Sequence, residues 1–129
     1  MQKNIMLIGT ESSGLTYMRM LLEREGYSVC LLREAYRAEE TIVAERPSLI
    51  IIDDQADKLC AVRLCRQLKL NATIAAIKTV LLLPYDHDAL KEATKKACGT
   101  DVLTKPVLPH LLLKTVAGLL AGPAMPPVK

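Results

Sequence analysis

The chain contains no tryptophan and no phenylalanine, and four tyrosines bring its aromatic content to only 3%. Paired rings that stack on a flavin or on unstacked bases are therefore largely missing. Histidine is scarce too, with His87 and His110 alone, and both read as surface residues. The four cysteines, Cys30, Cys60, Cys65 and Cys98, form no Cys-x-x-Cys and have no histidine at zinc-ligand spacing. That argues against zinc and for reduced structural thiols. No apolar run approaches the ~20 residues of a membrane helix, and Met1-Gln2-Lys3-Asn4 leads into a strand rather than a signal-peptide core, so a cytoplasmic protein is expected. Strong charge is absent as well: seventeen basic against fourteen acidic side chains leave +3. So mild an excess points to no nucleic-acid partner and no membrane surface.

What the chain does have is core. Its 129 residues are 50% hydrophobic, enough for one compact domain, expected over 1–121. Gly122-Pro123-Ala124-Met125-Pro126-Pro127 cannot continue a helix, so 122–129 reads as a Pro-rich tail or linker.

Continuous apolar runs mark strands covered on both faces, at Asn4–Gly9 and at Leu49–Asp53 with its Leu49-Ile50-Ile51-Ile52. Further strands fall at Ser28–Leu32, Thr79–Leu83 and Asp101–Thr104. Helical spacing lies between them. Ser12 or Ser13 caps a first helix with Leu15, Met18, Leu21 and Leu22 on one face, and Gly26 ends it. Glu34–Glu45 places Ala35, Ala38, Ile42 and Val43 on one side of a second helix that Pro47 stops. From Asp57 to Lys69, Leu59, Val62, Leu64, Cys65 and Leu68 form the apolar face, with Arg63, Arg66 and Lys69 expected in solvent. Asn71–Lys78 reads as a loop with a short turn. Asp88–Cys98 is a fourth helix, and Pro109 opens a last one running to about Leu120.

Five strands alternating with five helices predict an α/β fold, a doubly wound parallel sheet in the order 2-1-3-4-5 with helices on both faces. Such sheets bind at the carboxyl ends of their strands. Asp53 closes the third strand and Lys105-Pro106 closes the fifth, so an acid and a base meet at that edge.

At these residues the chain resembles the receiver domain of two-component response regulators, over roughly residues 4–120. The resemblance rests on Leu22-Glu23-Arg24-Glu25-Gly26-Tyr27, on Arg46-Pro47-Ser48-Leu49-Ile50-Ile51-Ile52-Asp53, and on Leu103-Thr104-Lys105-Pro106 followed by Pro109. It implies that Asp53 is the phosphoacceptor, that Lys105 pairs with the phosphoryl group, that Lys105-Pro106 is a cis peptide, and that a sensor histidine kinase or another signalling protein is the partner. It also implies a binding module in a phosphorelay rather than a turnover enzyme. The family's output and dimer face corresponds here to the fourth helix, fifth strand and last helix, with Leu90, Ala93, Val102, His110, Leu111 and Lys114 as candidates.

Several family positions are altered. The acidic pair that holds Mg²⁺ falls on Gly9 and Thr10, with Glu11 the nearest carboxylate. Mg²⁺ demands rigid oxygen ligands, so weak binding is expected, with Glu11, Asp53 and Gln55 as candidate ligands and Asp54 and Asp57 as replacements. The hydroxyl switch position falls on Pro84 or Leu83, the aromatic one on Val102, and Ala61 takes the place of a glycine. The expected reading is thus a receiver with a degenerate pocket, the alternative being a phosphorylation-independent interaction module. A remoter reading uses Gly9-Thr10-Glu11-Ser12-Ser13-Gly14, which has the glycine frame of a phosphate-binding loop, although Leu15 stands where that loop needs a lysine.

Overall fold

The computed structural model describes residues 3–9, 13–53, 61–83, 88–98 and 101–121. In chain order they form β1 (Asn4–Ile8), α1 (Ser13–Arg24), β2 (Ser28–Leu32), α2 (Ala38–Glu45), β3 (Leu49–Asp53), α3 (Ala61–Lys69), β4 (Lys78–Leu83), α4 (Asp88–Cys98), β5 (Asp101–Thr104) and α5 (Pro109–Ala121). All strand pairs are parallel and the order is β2-β1-β3-β4-β5, the predicted doubly wound sheet.

The apolar runs explain the layering. Side chains alternate across a strand, so a run apolar at every position feeds two cores at once. Met6, Ile8, Ile50, Ile52 and Leu81 face Ala38 and Ile42 of α2 and Ala61, Leu64, Cys65 and Leu68 of α3. Ile5, Leu7, Leu49, Ile51, Val80, Leu82 and Leu103 face Leu15, Met18 and Leu22 of α1 and Leu112 and Val116 of α5. The fourth helix packs on α3 and β5.

The helix ends follow local chemistry. Gly26 takes φ +96°, its amide donates to the Glu23 carbonyl, and the Tyr27 amide donates to the Leu22 carbonyl. These two bonds make a Schellman cap, which needs a residue without a Cβ penalty at that position. Helix α2 ends less comfortably, because Arg46 adopts the left-handed region (φ 51°) ahead of Pro47 while its amide donates to the Ile42 carbonyl.

Three expectations need correction. The second helix does not begin at Glu34: Ala35–Arg37 is a 3₁₀ turn and the α-helix starts at Ala38. From that start Ile42 lies one turn beyond Ala38 and is buried, whereas Val43 rotates outward and is exposed. The fourth strand begins one residue early, at Lys78. Lys69 is not a solvated charge, since its Nζ donates to the carbonyls of Ala75 and Ile77 and ties the connecting turns to α3. Those turns occupy the predicted loop and send Ile74 into the α2–α3 core.

The third helix is seen from Ala61, so the expected start at Asp57 and its Leu59 lie outside the described residues, as do His87 and the tail 122–129. Cys65 is buried and Cys30 is exposed, and both are free thiols. No helix among the described residues is long and apolar enough to cross a membrane.

Candidate functional site

Alternation along the strands decides where the charged pair points. Asp53 follows Leu49 and Ile51 in parity, so it projects from the end of β3 toward the α1–α5 side, and Lys105 follows Leu103 in the same way. The Lys105 amide extends the ladder by donating to the Leu83 carbonyl, which holds the lysine at the sheet edge. From there its side chain crosses the end of β4, and Nζ lies 2.5 Å from Asp53 Oδ1. The Lys105-Pro106 bond is cis.

The two partners differ in exposure. The Asp53 side chain is only 8% exposed, against 32% for Lys105. A buried carboxylate costs several kcal/mol unless it is paired, and this ion pair meets that need. Both charges border a cavity of about 380 Å³ whose other walls are Gly14, Leu15, Tyr17, Met18, Pro106 and Val107.

Gly9, at the end of β1, packs tightly against Leu15 and Asp53. A Cβ built there would fall 2.8 Å from Leu15 Cδ1 and 2.9 Å from Asp53 Cβ, closer than atoms can pack. The glycine at this first acidic-pair position therefore lets Leu15 and Asp53 close over the end of β1. The Gly9 amide donates to the Leu32 carbonyl, so it contributes nothing to an anion cradle of the phosphate-loop kind. Of the other positions in that loop, Thr10, Glu11 and Ser12 lie outside the described residues.

Of the candidate Mg²⁺ ligands, Asp53 alone falls among the described residues. Those residues supply one carboxylate to the pocket, Asp53, already engaged by an ammonium, and no group of three acidic, histidine or cysteine side chains with metal-ligand geometry occurs among them. The remaining ligand candidates Glu11, Gln55, Asp54 and Asp57 lie outside the described residues, as does the switch position Pro84. Leu83, the alternative switch position, is buried in the sheet. Val102 is half-buried and packs toward the α2–α3 core, which removes it as a fully exposed partner contact. On the expected output face Ala93, His110, Leu111 and Lys114 are exposed, while nothing is described of the Leu90 side chain.

The cavity wall was not legible in advance. Leu15 and Met18 carry the ordinary signal of a core stripe, and Tyr17 and Val107 carry none. Only the tertiary arrangement, which brings α1 and the segment after β5 to the end of β3, makes them line one cavity with Asp53.

A parallel five-stranded sheet whose carboxyl edge joins an aspartate from the third strand to a lysine after the fifth defines the receiver class of signalling domain. The relatives agree. The alkaline phosphatase synthesis transcriptional regulatory protein PhoP of Bacillus subtilis is 28% identical over 120 residues, covering 93% of this chain and 49% of that protein. PilH of Pseudomonas aeruginosa is 26% identical over 118 residues, covering 92% of this chain and 98% of that protein. Among solved structures, the signal receiver domain of a signal transduction histidine kinase from Syntrophus aciditrophicus superposes with a TM-score of 0.83 at 26% identity, covering 98% of this chain and 96% of that one. No family model matches the chain. Fold, edge and relatives together identify the chain as a response-regulator receiver domain of two-component signalling. It spans about half the length of the transcriptional regulator and nearly all of PilH.

Proposed function

We propose that the domain is a signalling module whose acceptor position is Asp53, with Lys105 as its charge partner, and that it takes a phosphoryl group slowly because positive charge at the pocket is short. Phosphoryl transfer asks little covalent chemistry of the protein and depends on neutralising the charge of the transferring oxygens. Among the described residues the incoming group meets a carboxylate with the Lys105 ammonium beside it. The observation that carries the reading is the tight closure of Gly9, Leu15 and Asp53, which leaves no room for an acid at the first position of the pair.

On this reading the chain binds partners rather than turning over a substrate. A histidine kinase or another signalling protein supplies the input, and the exposed α4–β5–α5 face, including Leu111 and Lys114, serves output or self-association. The test is labelling by a small acyl phosphate with and without Mg²⁺, with Asp53→Asn as control. Slow, Mg²⁺-insensitive labelling that Asp53→Asn abolishes supports the proposal. Rapid, Mg²⁺-dependent labelling of Asp53 overturns it. No labelling at all moves the domain to the phosphorylation-independent reading, in which the Asp53–Lys105 pair is a structural clasp.

A further inference from the structure

The cavity beside the ion pair has a composition that phosphoryl chemistry does not require. Its walls are mostly apolar, with Leu15 and Met18 from α1 on one side and Pro106 and Val107 from the segment before α5 on the other. Tyr17, half exposed, and Gly14, which has no side chain, complete the lining. Its volume of about 380 Å³ lies within the range of small-molecule sites, roughly 300–1,000 Å³. At the polar end the more accessible partner is Lys105, since Asp53 is nearly covered.

We propose that this cavity binds a small organic anion, an aromatic or branched-aliphatic body carrying a single carboxylate. The carboxylate would accept a charge-assisted hydrogen bond from the Lys105 ammonium, which has three donors and uses one toward Asp53. The body would displace water from Leu15, Met18 and Val107. Inorganic phosphate fits poorly, because apolar walls strip its hydration and return no hydrogen bonds. A cation would meet the ammonium first. A neutral apolar molecule would fill the space but leave the accessible donor without an acceptor.

Such a ligand would share the Lys105 ammonium with Asp53 and so act on the same edge that phosphorylation addresses. The inference does not depend on whether Asp53 takes a phosphoryl group, and its test uses the unmodified full chain with neither donor nor Mg²⁺.

The experiment titrates 1-naphthylacetate and its neutral isostere 1-naphthylacetamide while following the methyl resonances of Leu15, Met18 and Val107. The expected result is saturable shifts at all three, with the acid binding about tenfold more tightly than the amide, as one charged hydrogen bond warrants. Tyr17→Ala, a change at a half-exposed position, should weaken both probes equally. In the paired variant Asp53→Asn with Lys105→Met, which leaves neither charge stranded, the preference for the acid should vanish. Equal affinity of acid and amide for the natural protein overturns the proposal, as does the absence of saturable shifts at these methyls with millimolar probe. Both readings come from the natural chain, so the outcome stands even if the paired variant does not fold.

Discussion

The two faces of the sheet are built from the same strands but finished differently. On the α2–α3 face, Ile50, Ile52 and Leu81 are sealed by Ile42, Leu64 and Leu68, and Ile74 of the connecting turns plugs the remaining gap. Polar ties lock that closure from outside: Glu39 of α2 accepts hydrogen bonds from Gln67 and from Asn71, the latter at 2.7 Å, and Lys69 clasps two carbonyls. On the α1–α5 face the same alternation runs through Leu49 and Ile51 and then places Asp53 one step further, beside a cavity instead of a seal. One periodicity thus produces core or chemistry, depending on whether a helix covers the strand or the strand has reached its end.

The contrast is sharpest under truncation. Ile52→Ala, on the sealed face and only 1% exposed, should cost about 3 kcal/mol, because a site locked by α2, α3 and Ile74 cannot collapse around the lost methyls. Leu15→Ala beside the cavity should cost about 1 kcal/mol less, since space already adjoins it. Urea melts of both variants check the difference, and equal losses would mean that the cavity wall is packed as tightly as the core.

Next in size is the ion pair. Lys105→Met should destabilise by about 2 kcal/mol, below the 3–5 kcal/mol typical of a fully buried pair because a third of the lysine side chain meets water. Adding Asp53→Asn should recover most of that loss. If the double variant is as unstable as the single one, the cost lies in lysine packing and not in a stranded carboxylate.

The glycine at the acidic-pair position comes next. Gly9→Asp should cost about 1–2 kcal/mol by overpacking against Leu15 and Asp53, and Leu15→Ala in the same chain should return part of it by opening room for the new side chain. Thermal melts of the single and double variants decide this. Restoring an acid at this position is therefore a repacking problem before it is a metal-binding one.

The smallest expected effect is stabilising. Arg46→Gly removes the strain of a left-handed non-glycine residue and should add about 0.5 kcal/mol, less than the full penalty because glycine also frees the unfolded chain. Urea midpoints resolve a change of that size. A loss instead would show that the Arg46 side chain contributes contacts that outweigh the strain.

Much of this molecule could be read before any coordinate. Ile50-Ile51-Ile52 announces a strand buried on both faces, Gly26-Tyr27 announces a helix end, and Asp53 and Lys105 announce the edge where they meet. These are local signals, because period, caps and strand ends depend on residues a few positions apart. The misreadings have equally local causes. Val43 reads as inward when the helical phase is counted from Ala35, which lies in a 3₁₀ turn outside α2, and Lys69 reads as solvated because helical period alone does not show that the following turns bring the carbonyls of Ala75 and Ile77 to its ammonium.

The sequence by itself determined which segments are strands and helices, in what order they wind, and that an aspartate and a lysine share one edge. Only the tertiary structure decided how closely that edge closes: that the missing Cβ of Gly9 lets Leu15 and Asp53 come together, that Lys105 rather than Asp53 is the accessible charge, and that Leu15, Met18 and Val107 wall a cavity. The physical reason is range. Hydrophobic period and backbone geometry act within a few residues, whereas the gap between β1, β3 and α1 is set by the summed packing of side chains far apart in the chain, and a pocket consists of such gaps.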